Sequence, residues 1–194
     1  MNCVSWNARG VGNSRAFQAL SDLKRSFNQE IIFLMETKAE HSLLELYRVR
    51  LGFTGKLVVD KVGRSGGLCM FWSDKVCVTL ILYSRFHIDV QIGSHGSHVW
   101  HLTGLYGNLD PEQGCHTWTL LRRLKGLSSL PWLCLGDFNE ILRDSEKQGG
   151  PPRPRLLMES FREVLDSCEL EDLGFFGPNF TFSNIRDISL VQER

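Results

Sequence analysis

Apolar and polar positions alternate with two different periods along this chain, and the change from one to the other outlines its elements. Cys3 to Asn7 reads as a short strand, and Arg9-Gly10-Val11-Gly12-Asn13 as the loop that leaves it. Ser14 is placed to cap a helix in which Phe17, Leu20, Leu23 and Phe27 recur at spacings of three and four, striping one face. Ile31 to Met35 is unbroken apolar sequence, the mark of a buried strand, and Glu36-Thr37-Lys38 follows it. A second helix is predicted over His41 to Leu51, with Gly52 as its stop signal. The order to this point is βαβα.

The pattern then changes. Phe53 to Asp60, Gly67 to Trp72, Lys75 to Tyr83, Phe86 to Ile92 and Val99 to Tyr106 are strand-like runs with no helical stretch between them, and Gly63-Arg64-Ser65-Gly66-Gly67 and Gly93-Ser94-His95-Gly96 supply turn chemistry. These runs predict an antiparallel block of about five strands inserted in an otherwise α/β chain. Beyond it come a helix over Thr117 to Leu130, a strand over Trp132 to Leu135 entering Gly136-Asp137-Phe138-Asn139, and a loop over Gln148 to Pro154. A last helix over Leu156 to Cys168 buries Phe161, Val164 and Leu165, and Phe180 to Ser183 is one more strand.

Composition narrows the class without naming a partner. With 194 residues, 42% hydrophobic and 23% charged, the chain is long and apolar enough for a single globular domain spanning residues 1–194. Its longest apolar run, Ile31 to Met35, is far short of the roughly 20 residues that cross a bilayer. The N-terminus MNCVSWNARG lacks a basic region followed by an apolar stretch, so a nuclear or cytoplasmic location is expected and secretion is not. The six cysteines form no C-x-x-C pair and read as reduced thiols, mostly in the core. Net charge is zero, whereas chains that hold polyanions by counterion release alone are far more basic. Contact with nucleic acid would therefore need a local site.

Candidate chemistry sits at strand ends. Asn7 follows Val4-Ser5-Trp6, Glu36 follows Ile31 to Met35, Asp137 and Asn139 follow Trp132 to Leu135, and Tyr106 ends a fourth strand. If those strands share a sheet and a direction, their carboxyl ends place the side chains in one crevice, where open α/β sheets bind ligands. Two carboxylates with amide oxygens suit a hard cation such as Mg²⁺, which retains waters and is completed by substrate phosphate. Each residue also has a plain alternative: Asp137 and Asn139 as an Asx turn, Glu36 as a solvated charge, Asn7 as a turn residue, Tyr106 as packing. Their coincidence favours a phosphoryl-transfer site.

Two other motifs compete. Gly10-Val11-Gly12-Asn13-Ser14-Arg15 between strand and helix has the outline of a dinucleotide fingerprint, but Arg15 stands where the third glycine would allow close packing. His95, His98 and His101 have metal-like spacing, yet on a strand His98 and His101 point to opposite faces, and a solvated turn with an edge strand is the expectation.

Taken in order, the motifs resemble the endonuclease/exonuclease/phosphatase family, and most of all the endonuclease domains of plant LINE-type (non-LTR) retrotransposons. The carriers are Ser5-Trp6-Asn7-Ala8-Arg9-Gly10, Met35-Glu36-Thr37-Lys38, Ser65-Gly66-Gly67-Leu68, Leu105-Tyr106-Gly107, Leu135-Gly136-Asp137-Phe138-Asn139-Glu140, and Gly177-Pro178-Asn179-Phe180-Thr181-Phe182-Ser183-Asn184. The resemblance implies a four-layer α/β/β/α sandwich of two mixed sheets and Mg²⁺-dependent hydrolysis of a DNA phosphodiester, with Mn²⁺ as an alternative metal. By the same resemblance Glu36 is the principal metal ligand with Asn7 beside it, and Asp137 orients or deprotonates the attacking water. Asn139 and Tyr106 contact the scissile phosphate, and Arg9, Thr181, Ser183 and Asn184 meet the DNA.

The resemblance also sets expectations from where the motifs stop. DNA-repair relatives carry an acidic residue at the position of Arg9, which favours the retrotransposon branch. Relatives continue past Glu193-Arg194 into an Arg-Leu-Asp segment and a Ser-Asp-His motif. The expectation is thus a fold incomplete at its C-terminus, with low or no activity in this chain and a reverse transcriptase downstream in a full element. The alternative is a domesticated or pseudogene-like remnant that only binds metal or nucleic acid.

Overall fold

The structure, a computed structural model, describes residues 1–94, 98–108, 114–174, 176–184 and 191–193. Backbone packing divides the chain into two compact units, residues 1–106 with 130–137, and residues 107–129 with 138–194.

The first unit contains two mixed four-stranded sheets and two helices. Strands β1 (Cys3–Asn7), β2 (Ile31–Met35), β3 (Gly55–Val62) and β4 (Ser65–Trp72) form a sheet of order β1-β2-β4-β3, in which β1 and β2 are parallel and the other pairs antiparallel. Strands β5 (Val78–Ser84), β6 (His87–Ile92), β7 (Trp100–Tyr106) and β8 (Trp132–Asp137) form the second sheet in sequence order, with only β7 and β8 parallel. The five-strand run that the sequence reads as one inserted block is thus split between the sheets. The apolar sequence of β2 explains the division: a strand buried on both faces needs covering on both.

One face of β2, Ile32 and Leu34, packs with Cys69 and Phe71 against helices α1 (Ser14–Phe27) and α2 (His41–Arg50) through Leu20, Leu44 and Tyr47. The other face, Ile31, Phe33 and Met35, packs with Leu68 and Met70 against Ile88, Val90, Ile92 and Leu102 of the second sheet. This part of the molecule is an α/β/β stack, and the fold is the expected α/β sandwich built on two mixed sheets. Asn13, not Ser14, caps α1: it holds an extended backbone and its side chain accepts from the Ala16 N–H at 2.9 Å. Phe27, expected on the apolar stripe, is exposed as the last residue of that helix.

The second unit holds helices α3 (Gly114–Lys125) and α4 (Arg155–Cys168), packed through Trp118 and Phe161, whose rings stack at 4.8 Å, with Leu121, Leu124, Met158 and Val164 buried beside them. It also carries a small antiparallel sheet: β9 (Lys147–Gln148), β10 (Phe182–Asn184) and β11 (Val191–Glu193), in the order β10-β11-β9. Sequence patterning misses β9 and β11, because runs of two or three residues are too short to carry periodicity. None of the six cysteines is in a disulfide; Cys69 and Cys168 are buried, but Cys77 and Cys115 are exposed rather than in the core. No described helix is long and apolar enough to cross a membrane.

The histidine motif resolves differently from its expectation. His95 lies outside the described residues and His98 is exposed, but His101 is buried on β7, an interior strand paired to both β6 and β8. Its Nε2 lies 2.6 Å from Asp89 Oδ1, which also accepts from the Thr103 hydroxyl at 2.5 Å; Thr103 in turn accepts from Trp132 Nε1 at 2.8 Å. A buried imidazole with a carboxylate partner is a satisfied core group, not a solvated edge.

Candidate active site

Four candidate side chains of the first unit stand where a parallel strand ends. β1 and β2 finish in register at Asn7 and Met35, with Glu36 next in the chain, and β7 and β8 finish in register at Tyr106 and Asp137. The four residues therefore come from the carboxyl ends of two strand pairs in two stacked sheets, not from one sheet. β1 lies against β8, which brings the pairs together.

Asn7 joins them. Its Nδ2 donates to Glu36 Oε1 at 3.3 Å and to Asp137 Oδ2 at 2.9 Å, while its Oδ1 accepts from the Arg9 N–H at 3.3 Å. These neighbours fix which way the amide faces, since two carboxylates require a donor and an N–H requires an acceptor. Asn7 thus tethers two like charges that would otherwise repel. Glu36 Oε1 also accepts from the Tyr106 hydroxyl at 2.6 Å, and Glu36 Oε2 pairs with Lys38 Nζ at 2.7 Å.

The backbone around Glu36 is held from both sides. Glu36 and Lys38 have φ of 48° and 49°, in the left-handed region that costs a non-glycine residue about 1 kcal/mol or more. Gly10 and Val11 donate their N–H groups to the Glu36 and Thr37 carbonyls at 2.8 and 3.0 Å, and Thr37 and Lys38 donate theirs to Gly67 and Gly66 at 3.0 Å each. A Cβ on Gly67, itself at φ 87°, would fall 2.4 Å from the Thr37 hydroxyl, so only glycine lets this strand approach. The Gly10-Val11 amides that a dinucleotide fingerprint would turn toward a pyrophosphate are used on the chain's own carbonyls. On the other side, Gly136 takes φ 144°, and a Cβ there would fall 1.8 Å from the Leu105 carbonyl oxygen; its absence lets β8 deliver Asp137 beside Tyr106.

Burial would raise the Glu36 carboxyl, but hydrogen bonds from Lys38, Tyr106 and Asn7, with the Lys38 charge, outweigh it and hold the group below its ordinary value. Tyr106 moves the opposite way: burial, its bond to Glu36 and the negative charges of Glu36 and Asp137 push its phenol well above the ordinary range, against a small opposing pull from Arg9. At neutral pH the site therefore holds an ionised Glu36 and a phenol that remains a donor.

The donor set fits a hard divalent cation. Glu36 and Asp137 are carboxylates tied to one amide, and magnesium is commonly held by one or two carboxylates while keeping several waters. Among the described residues there is no cluster of three or more His, Cys, Asp or Glu side chains arranged for a metal, so the anionic set is this pair. Asn7 turns its nitrogen toward both carboxylates and so acts here as their donor.

Over residues 4–189 the chain matches the model of the Endonuclease/Exonuclease/phosphatase family. The chain belongs to that family. Comparison with curated proteins finds no match. Among solved structures, the endonuclease domain of TRAS1, a telomere-specific non-LTR retrotransposon, aligns over 98% of this chain and 84% of its own, with 15% identity and a TM-score of 0.67. The AP endonuclease LMAP from Leishmania major aligns over 99% and 78%, with 14% identity and a TM-score of 0.67. An AP endonuclease from Archaeoglobus fulgidus aligns over 98% and 85%, with 14% identity and a TM-score of 0.63. At such identities the likeness concerns the fold.

The remaining candidates are described each within its own unit. Asn139 belongs to the second unit, two residues beyond Asp137 in the chain; it has φ 55°, and its Nδ2 donates to the Gly107 carbonyl at 2.8 Å. Arg9 is exposed, with φ 48°. Thr181 and Ser183 are exposed in the second unit, Ser183 on β10, and the side chain of Asn184 lies outside the described residues. Sequence reasoning assigned no role to Lys38 or Arg153. A lysine two residues after a strand-end glutamate, and an arginine set among Pro151, Pro152 and Pro154, were the available signals.

Proposed function

We propose that this chain is a divalent-metal-dependent phosphodiester hydrolase acting on DNA, an endonuclease domain of non-LTR retrotransposon type. The observation that carries the reading is the joining of Glu36 and Asp137 through one amide at the ends of two parallel strand pairs. Membership of the family and the fold likeness to the TRAS1 endonuclease domain support it.

Glu36 and Asp137 would hold Mg²⁺, or Mn²⁺ in its place. Bound there, the metal supplies charge neutralisation and polarisation of a phosphoryl oxygen. Asp137 orients or deprotonates the attacking water from the end of β8, beside the Asn7 amide. Tyr106 keeps its proton and fixes Glu36 through Oε1. Asn139 donates to a non-bridging phosphate oxygen, and Arg9, Thr181, Ser183 and Asn184 contact the DNA. Preorganised donors of this kind supply much of the rate in phosphoryl transfer.

A second reading, binding of metal or nucleic acid without cleavage, is favoured by one feature: Lys38 already gives Glu36 a cationic partner. One experiment separates the two. Supercoiled plasmid is incubated with the protein in Mg²⁺, Mn²⁺ or chelator, alongside Glu36→Gln and Asp137→Asn. Hydrolysis predicts metal-dependent nicking reduced by about 10²-fold or more in either variant. Nicking unaffected by both substitutions would mean that the chemistry lies elsewhere.

A further inference from the structure

Arg153 stands on Pro151-Pro152-Arg153-Pro154, directly before α4. Proline fixes its own φ near −65° and keeps the residue before it out of the helical region, so this segment gives up little freedom when it orders. Its guanidinium makes a two-pronged contact with Glu140, Nε to Oε1 at 2.7 Å and Nη2 to Oε2 at 2.9 Å, and Nη2 also donates to the Asn139 carbonyl at 2.9 Å. The Glu140 side chain is only 4% exposed, and its Oε1 also accepts from the Ile141 N–H at 3.0 Å. A buried carboxylate so placed needs this partner, because removing one member of a buried pair leaves the other charge uncompensated.

The clamp closes on the residue with the unusual backbone. Asn139 is left-handed at φ 55°, a conformation that asparagine tolerates but does not prefer over the ordinary regions. One of its amide hydrogens is directed to the Gly107 carbonyl, which sets the plane of the amide and hence the direction of the other. The side chain is aimed only as well as the turn beneath it is held, and Arg153 holds that turn from both the Asn139 carbonyl and the Glu140 carboxylate.

We propose that Arg153 is a positioning residue for Asn139: its fork on Glu140 and the Asn139 carbonyl fixes the left-handed turn after Asp137 and so aims the Asn139 amide for a phosphate oxygen. The proposal rests on the phosphodiesterase reading for the identity of that target. A lysine cannot substitute, because a point charge cannot span the two carboxylate oxygens and a carbonyl in one plane.

The experiment compares wild type, Arg153→Met, Arg153→Lys, Asn139→Ala, the Arg153→Met/Asn139→Ala pair and the Arg153→Met/Glu140→Leu pair, with kcat and KM for plasmid nicking and Tm measured on each. Arg153→Met should lower kcat by about 10² with KM changed less than about threefold, since a small misplacement of a reacting group costs that much. Arg153→Lys should fall nearly as far, and Arg153→Met should cost little more once Asn139 is already alanine. The Arg153→Met/Glu140→Leu pair removes the stranded charge and should recover Tm without recovering kcat. Additive losses in the Asn139→Ala background, or recovery of kcat along with Tm, would overturn the positioning role.

A second readout does not depend on turnover. In ¹H–¹⁵N spectra the Asn139 side-chain amide should give two sharp, well-separated proton signals in wild type and motionally averaged ones in Arg153→Met/Glu140→Leu. Wild-type protein that nicks nothing but shows this difference refutes the phosphodiesterase reading and leaves the clamp standing. An Asn139 amide equally ordered in both proteins refutes the clamp whatever the activity.

Discussion

Asn7 donates to Asp137 at 2.9 Å across 130 residues of sequence, and the same nitrogen reaches Glu36. The bond links one end of each sheet, so its loss should be felt as stability as well as activity. Asn7→Leu keeps the volume and removes the donor, leaving two carboxylates facing each other. We expect it to lower the free energy of unfolding by about 1–3 kcal/mol, and 5 mM Mg²⁺ to restore part of the loss by supplying the missing positive charge. Urea unfolding with and without the metal measures both; equal losses in the two conditions would mean that no cation enters between Glu36 and Asp137.

Lys38 competes with any cation for Glu36. Two unit charges 4 Å apart interact by about 1 kcal/mol in water, and more where water is partly excluded, with the effect doubled for a divalent ion. Lys38→Met should therefore bind Mg²⁺ roughly tenfold more tightly by calorimetry. Unchanged affinity would place the metal away from Glu36.

The depressed Glu36 carboxyl makes a statement about acid. Because its folded value lies below its ordinary 4.5, the ionised form favours the folded state at every pH above that ordinary value. The contribution is lost as pH falls through the folded value. Glutamine stays neutral throughout, so the gap in Tm between wild type and Glu36→Gln should be constant from pH 6 to 7.5 and close progressively below about pH 4.5. A gap that persists unchanged to pH 3 would mean that the Lys38, Tyr106 and Asn7 bonds do not stabilise the charge.

Gly136→Ala tests the delivery of Asp137. Its Cβ would meet the Leu105 carbonyl oxygen at 1.8 Å, and its φ of 144° is closed to alanine. Overpacking and backbone strain together should cost about 3 kcal/mol or more, read as a lowered midpoint in urea. A midpoint within experimental error of wild type would show that β8 can shift away from β7 without penalty.

Strand and helix positions were largely legible in the sequence, because α1 and α4 carry apolar periodicity and β2 is an unbroken apolar run. The sheet to which each strand belongs was not. The run from Phe53 to Tyr106 reads as five similar strands, and nothing within it signals that β4 turns back to pair with β2 while β5 starts a second sheet; that choice is made by long-range pairing. The same gap explains the site. Strand-end placement picked out Asn7, Glu36, Tyr106 and Asp137 as chemistry-bearing positions, but it carried no sign that they come from two sheets and that Asn7 bridges them. Lys38 escaped because its partner, Glu36 Oε2, is set by left-handed backbone that no propensity predicts at glutamate or lysine, and Arg153 because its partners, Glu140 and the Asn139 carbonyl, lie 13 and 14 residues away in the chain. His101 misled because a histidine flanked by turn sequence looks solvated until the buried Asp89 is placed beside it.

Assembly from two sheets also orders events during synthesis. A ribosome emits residues from the N-terminus at about 5–20 per second, so Glu36 and Lys38 are out of the tunnel for several seconds before Asp137 follows. Over that interval β1 to β4 can pair and α1 and α2 can dock, while Glu36 has lysine as its only charged partner among those that the finished site provides. The second carboxylate arrives only with β8, whose pairing to β7 is among the most sequence-distant steps of the first unit and hence among the slowest to nucleate. A nascent chain of this protein thus passes through a long stage with a helix-covered sheet and no paired carboxylates, and it gains the second carboxylate in one late step.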